Sequence, residues 1–549
     1  MGIASLPHCL TAPLIMNSVL DVIIVGGGHN GLIAAGLLAA EGRRVLVIER
    51  QPVVGGMAIT REFAPGFKAP TLSHAIGPLT RDVTRALKRL KFDKAGVQLI
   101  TPDPALTTLG TAGNSISFHR DPVFTAEAIN RIAPADAGRW RDFLDTMQRL
   151  STIIRQLQRH PAPPIDDPSR TDLWRLFRTG RRARALGKKN FSRLLRYMPM
   201  AVADITSEWF ADDLIQAAVA SHAIFGHFAG PWSAGTGALL LQRLADDPMP
   251  VGSGITVAGG PGALTAALAA LAERAGARIM TSTNVARIRT VNGAATGVVL
   301  ENGDEIAART VLAAIDPKTV LQTLVDPADL PPAFQQRVRN IRARGATAKV
   351  NLALSERPVF GALHGDNIAL RGRLLIAPGI DYLERAYDAA KYGQVPDHPW
   401  LEISVPTAVD GTLAPDGQHV MSIVVHTMPQ TVRDGAWSHE RDTLYRRVLD
   451  VLAPHAAGLE ATIIEREIIT PEDIATEWGV SGGHIYHGEQ TVDQWWMTRP
   501  LLGWADGTTP IHDLFLTGAG THGGGGITGG PGLHAARTVH TALKERKRE

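Results

Sequence analysis

Residues 21–49 constrain this chain more than any other stretch, because every part of a βαβ nucleotide-binding unit falls there in order. Asp21-Val-Ile-Ile-Val25 is a short, β-branched, nearly unbroken apolar run, the pattern of a parallel strand buried on both faces. It leads into Gly26-Gly-Gly-His-Asn-Gly31, which fits GxGxxG at Gly26, Gly28 and Gly31. An Ala/Leu-rich helix is expected from Leu32 to Glu41, closed by Gly42 at the position where φ > 0 is usual. A second strand, Arg44 to Ile48, ends in Glu49, eighteen residues after Gly31. Gly26 permits the tight turn, Gly28 lets backbone approach a diphosphate, and Gly31 lets helix and strand pack closely. The helix N-terminus supplies unpaired N–H groups and a partial positive charge to the phosphates. Glu49 can accept both ribose hydroxyls and would repel a 2′-phosphate. Together these residues predict a dinucleotide site.

Composition narrows the rest. At 549 residues, 44% apolar and 20% charged, the chain reads as soluble and globular, with two or more domains. Its single cysteine, Cys9, excludes a disulfide framework, a redox pair and any cysteine-built metal site. Lys+Arg 56 against Asp+Glu 53 leaves a net charge of +3, so no nucleic-acid partner is expected. The 19 histidines show no ligand spacing beyond His484 and His487 at i, i+3, and no metal is expected. The first twenty residues carry no Lys or Arg, and Met16 would serve as well as Met1 for a start. No apolar run reaches the ~18–20 residues that cross a bilayer, and a cytoplasmic protein is the expectation.

Three further stretches extend the pattern. Gln51 to Thr60 carries a second glycine pair, Gly55-Gly56, which brings another loop close to the same ligand. From Val257 to Pro317 the chain reads as a helix (Ala263 to Arg274), the short strand Arg278–Met280, strands hinged at Asn292-Gly293, and a buried strand at Val311. From His512 a strand runs into glycine-dense sequence through Gly532 and then a helix through Leu543. The GxGxxG matches at Gly518/Gly520/Gly523 and Gly524/Gly526/Gly529 have no room after them for a second strand and its acid, so they are not separate nucleotide sites.

Strand–GGGHNGL–helix–IER followed by GGMAIT resembles the FAD-binding opening of the phytoene desaturase-like flavoproteins of the amine oxidase superfamily. Segments 406–419 and 482–489 are similar to the pyridine nucleotide-disulphide oxidoreductase domain 2-like branch, whose pattern carotenoid ketolases share. The resemblance implies FAD as the cofactor. It also implies that Gly55 and Gly56 neighbour the diphosphate or flavin, that Val285 passes the adenine, and that Gly518, Gly520 and Gly529 face the ribityl–isoalloxazine side. The chain departs from the family at Gly523, where Pro is common, and at His534, where Asn is common.

The expected fold is α/β. A Rossmann-type, glutathione reductase-like FAD domain is assembled from residues 16–80, 250–325 and 500–549, and an α+β substrate domain from 81–249 and 326–499. The expected activity is oxidation of a hydrophobic, isoprenoid or carotenoid-like substrate by hydride transfer to flavin N5. A flavin amine or small-molecule oxidase and an FAD-binding regulatory protein without turnover are the alternatives. His484, His487 and His522 are the candidate acid/base residues, each with a structural role as the alternative; His74 is a further position near the flavin edge. Trp495, Trp496 and Arg499 either line the substrate channel or pack the core. Between Arg175 and Arg196 lie nine Lys/Arg and no acid, interleaved with apolar residues. Residues 173–198 are therefore read either as a peripheral membrane contact or as a solvated helical face with its apolar residues in the core.

Overall fold

The computed structural model describes residues 19–163 and 168–546. Cys9 and the readings of the first residues lie outside them. Val22–Val25, entirely buried, forms the middle of a five-stranded parallel sheet. Val45–Ile48 and Val311–Ala313 flank it; Arg278–Met280 and Leu514–Leu516 form the edges. Strands more than 460 residues apart in sequence are thus brought into one sheet, which no local pattern specifies. The helix after the first strand spans His29–Ala40, three residues earlier than its apolar pattern, because the glycine turn itself supplies the first helical turn. Gly42 closes it at φ +77°. The hairpin at Asn292-Gly293 forms as expected, both residues having positive φ.

A second sheet has seven strands, antiparallel apart from the pairing of Arg373–Ile376 with Leu106–Leu109. Its central strands, Ala348–Leu354, His419–His426 and Trp400–Ser404, are almost wholly buried. A helical layer containing Pro134–Gln158, Asp213–Ile224 and Thr236–Asp246 shares a core built on Trp140, Phe143 and Phe210. The helix Thr236–Asp246 buries Leu240, Leu241 and Leu244 there. At the complementary three-to-four spacing it turns Leu239, Gln242, Arg243 and Asp246 to a cavity.

The helices Arg170–Ala185 and Gly187–Tyr197 span 173–198, and the second buries Leu194 and Tyr197 in the helical core. No residue of the first is fully buried, though Ala183 and the following Leu186 pack against the core. Trp174 is 58% and Phe177 55% exposed, and their rings stack 5.5 Å apart.

Candidate functional site: an elongated cavity beneath three glycine loops

One cavity of about 640 Å³ runs from the tip of the second parallel strand to the helical layer. Gly26, Gly28, Glu49, Gly55, Gly56, Val285 and Gly518 all line it. Gly26 holds φ +102°, and a Cβ there would press on Ile315 and the Ala314 carbonyl. Gly28 caps the helix with φ −66° and no side-chain hydrogen bond, so the first-turn N–H groups remain for a ligand. A Cβ on Gly28 would meet no protein atom within 4 Å, which leaves room for one at the helix terminus. The second glycine pair lies against this turn: Gly55 N–H donates to the Gly27 carbonyl at 2.9 Å. Glu49 is buried and accepts from Gly27 N–H at 2.7 Å and Gln51 N–H at 2.9 Å. Each of its oxygens keeps a lone pair for a ribose hydroxyl.

Other predicted positions support the cavity without lining it. A Cβ on Gly31 would overlap the Gly26 carbonyl, so its role is the close helix–strand packing expected of it. Gly520 is not turned to the cavity but packed on Pro317 and the His487 carbonyl, and Gly529 on Ile33 and Val83. The loop residues that do face the ligand space are Gly518, Ala519 and Gly525 to Thr528. Gly523 and His534 stay off the lining, so the departures from the family pattern do not alter it. At the start of the last helix, Gly532 N–H donates to Asn30 Oδ1 at 3.2 Å, locking the two helix N-termini together.

The histidines divide. His484 is fully buried off the cavity, its Nδ1 accepts Tyr486 N–H at 3.1 Å, and burial pushes its pKa down to about 3. His522 also lies off the cavity, with Nε2 3.0 Å from the Gln158 carbonyl. Neither side chain reaches the cavity lining. His487 does line the cavity; its Nδ1 is buried without a partner, and burial holds its pKa below the ordinary value. His29 has burial, then His487, pushing its pKa down to about 4. It is neutral at pH 7, which leaves backbone N–H groups to meet an anionic ligand there.

Arg499 is a tether rather than a channel residue. It is buried and donates to the carbonyls of Tyr486 (2.8 Å), Glu489 (2.8 Å) and Ala519 (2.7 Å), joining the 486–489 loop to the C-terminal glycine loop. Trp495 packs into the helical core. Arg499→Met leaves the Tyr486 and Ala519 carbonyls unpaired and the Glu489 carbonyl with only Gln494 Nε2 at 3.3 Å. Its expected result is a loss of about 3 kcal/mol in denaturant unfolding together with weakened flavin retention; an unchanged midpoint would refute the tether.

Sequence reasoning missed a buried charged chain behind the Leu72–His74 wall. Arg373 Nη1 donates to Glu402 Oε2 at 2.8 Å, Glu402 Oε1 lies 2.9 Å from His74 Nε2, and His74 Nδ1 lies 3.2 Å from Lys349 Nζ. Burial opposes ionisation of Glu402, but Arg373 and His74 hold its carboxyl well below the usual range. His74 is neutral, with burial and then Lys349 lowering its pKa to about 4. An ionised Glu402 therefore takes the Nε2–H, and Nδ1 accepts from Lys349. Burial pushes the Lys349 ammonium down to about 7. In the unfolded chain it stays protonated to about 10.5, so between pH 7 and 10.5 the unfolded state binds more protons and stability rises with pH. Lys349→Met flattens that rise in unfolding midpoints across this window; an unaltered slope would contradict the assignment. Among the described residues no cluster of His, Cys, Asp and Glu forms a metal site.

The model of the family described as flavin containing amine oxidoreductase matches residues 31–539. The chain belongs to this family. It is therefore an FAD-dependent oxidoreductase. Across 549 aligned residues it is 30% identical to pyridine nucleotide-disulfide oxidoreductase domain-containing protein 2 of Rattus norvegicus, covering 95% of this chain and 94% of that protein. It is 26% identical to the zeta-carotene-forming phytoene desaturase of Myxococcus xanthus, covering 92% and 90%. An oxidoreductase structure from Methanosarcina mazei shares the fold, with a TM-score of 0.61 at 16% identity over 95% of this chain and 100% of that one. The cavity fits the family's cofactor. The open space over Gly28, the uncapped helix terminus and the unpartnered Asp316 Oδ1 beside the glycine loops are what an extended polar ligand would fill.

Proposed function

We propose that this protein is a dehydrogenase that removes hydride from a C–H bond of a largely apolar, isoprenoid-like substrate held at the inner end of the cavity. The observation that carries this is the continuity of one cavity from Glu49 and Val285 past the glycine loops to Leu72, Phe225, Leu239, Val424 and Ile485. Bound FAD supplies the hydride acceptor. The Gly28–His29 N–H groups would bind its diphosphate and Glu49 its ribose. Leu72, Phe225, Leu239, Val424 and Ile485 exclude water from the space where substrate lies. The similarity to a phytoene desaturase supports the isoprenoid class. Because the sequence holds one complete dinucleotide half, the electrons leave to oxygen, a quinone or another free acceptor. Anaerobic mixing of the holoenzyme with an isoprenoid hydrocarbon should bleach the oxidised-flavin band. Bleaching by primary amines and by no hydrocarbon would favour the amine oxidase alternative, and bleaching by nothing the regulatory one.

Residues 173–198 are proposed to rest on an anionic lipid surface from which such a substrate is drawn. Support comes from the exposed Leu173, Trp174, Phe177, Phe191 and Leu195 beside nine cations, each contributing about 1 kcal/mol near such a surface. Among the described residues no helix is long and apolar enough to cross a membrane. The full chain should float with phosphatidylglycerol vesicles but not with phosphatidylcholine vesicles, and Trp174→Ser with Phe177→Ser should weaken flotation at least tenfold. Equal flotation on both vesicle types would refute the proposal.

A further inference from the structure

The inner end of the cavity is not uniformly apolar. Three cations line the cavity: Arg50, Arg243 and Arg373. Arg373 is paired with Glu402 at 2.8 Å, and its Nη2 donates to the carbonyls of Val251 and Gly252. Arg50 neighbours Glu49 at the opposite, ribose end and donates to the Glu477 carbonyl. Arg243 differs from both. It projects from the cavity face of the helix Thr236–Asp246, and among the described residues no carboxylate lies within 4 Å of it. Its Nη2 donates to the Phe225 carbonyl at 2.8 Å and to Tyr486 Oη at 2.7 Å, and the guanidinium lies 4.8 Å from the centre of the Tyr486 ring. These contacts fix the guanidinium while Nε and Nη1 find no acceptor among the described residues.

Tyr486 gives an independent second observation. It is more than nine-tenths buried and lines the same end of the cavity. Its hydroxyl oxygen accepts from Arg243, and its own proton has no acceptor among the described residues. A buried, unused O–H donor beside a fixed guanidinium without a counter-ion is a donor set for an anion. Asp246, one turn along the helix, makes no ion pair with Arg243 and carries only part of a charge near neutral pH. Burial, opposed by Arg243 and Arg155 and aided by Asp247, pushes its carboxyl up to about 7. His227 Nδ1, buried without a partner at the same end, can add a further N–H donor.

We infer that the substrate is an acid: an apolar carbon skeleton ending in a carboxylate that seats on Arg243 and the Tyr486 hydroxyl. This rests on the reading above that the inner end of the cavity holds substrate. With Nη2 committed to Phe225 and Tyr486, an Nη1–H of Arg243 donates to one carboxylate oxygen and the Tyr486 O–H to the other, and the apolar wall of Phe225, Leu239, Val424 and Ile485 takes the chain. The anchor fixes one end of the molecule and so selects which C–H bond faces the cofactor.

Decanoate, decylamine and 1-decanol provide the test, each titrated into the FAD-loaded holoenzyme while the visible flavin spectrum is followed. Decanoate should perturb the spectrum at concentrations at least tenfold below those needed for the alcohol or the amine. Arg243→Met should weaken decanoate about 100-fold and leave 1-decanol unchanged, while Arg243→Lys retains part of the affinity. Tyr486→Phe, which keeps the ring under Arg243, should weaken decanoate about tenfold. Equal binding of the three probes, or unaltered decanoate binding in both Arg243→Met and Tyr486→Phe, would overturn the inference. Failure here is separable from failure of the proposed reaction. A neutral isoprenoid hydrocarbon that bleaches the wild-type flavin, while decanoate binds equally well to wild type, Arg243→Met and Tyr486→Phe, leaves hydride transfer standing and removes only the carboxylate.

Discussion

Gly28→Val is expected to give a folded protein that no longer retains FAD. The backbone at Gly28, φ −66° and ψ 166°, is open to any L residue, and a Cβ there meets no protein atom within 4 Å. The substitution therefore costs the fold little beyond a change of helix cap, a few tenths to about 1 kcal/mol. The valine methyls instead stand in front of the first-turn N–H groups, where the diphosphate would lie. FAD affinity should fall at least 100-fold, equivalent to about 3 kcal/mol, while the circular dichroism spectrum of the apoprotein is unchanged. Gly26 and Gly31 make the contrast. Side chains there press on Ile315 and on the Gly26 carbonyl, so their valine variants should lose folded yield as well as flavin. Wild-type FAD affinity in a well-folded Gly28→Val protein would remove the first glycine loop from the cofactor site.

Arg373→Met is expected to produce the largest loss of stability. The guanidinium is buried, pairs with Glu402 and donates to the carbonyls of Val251 and Gly252 at 2.6 and 2.7 Å. Removing it strands a buried carboxylate whose remaining side-chain partner is neutral His74, and unpairs two carbonyls. Breaking one partner of a buried pair costs about 3–5 kcal/mol. Adding Glu402→Gln removes the stranded charge, so the double variant should recover part of that loss in denaturant unfolding. If Arg373→Met unfolds at the wild-type midpoint, or if Glu402→Gln compounds the loss additively, the chain from Arg373 to Lys349 is not the coupled unit its geometry indicates.

How much of this was legible in the sequence depends on whether a feature is local. The first strand, its glycine turn, helix, second strand and Glu49 are consecutive, and all were readable to within three residues. The hairpin at Asn292-Gly293 was readable for the same reason, since its residues adopt the positive φ its turn needs. The joining of Val311–Ala313 and Leu514–Leu516 to the first strand was reached through resemblance rather than periodicity. The chain of His74, Lys349, Arg373 and Glu402 was not legible, because its members sit far apart in sequence and share no spacing. A weak signal existed: a single charge within each of the largely apolar runs Ala-Lys-Val-Asn-Leu, Arg-Leu-Leu-Ile and Trp-Leu-Glu-Ile, where an unpaired charge would be costly. His484 and His522 misled because glycine-rich neighbours marked their loops as close to the ligand, while their side chains turn into the protein. For residues 173–198 composition could not say which way the apolar face points; only packing decides that.

The central claim is that the three glycine-bearing stretches enclose one extended FAD. A crystal structure of the reconstituted holoprotein tests it most directly. The account predicts one FAD per chain, with its ribose within hydrogen-bonding distance of Glu49 and its diphosphate against the Gly28–His29 N–H groups. Its ring system should lie between Gly56 and the Gly518–Ala519 turn. Density for the cofactor anywhere else, or a ring turned toward Val285 with its adenine toward Gly518, would contradict it.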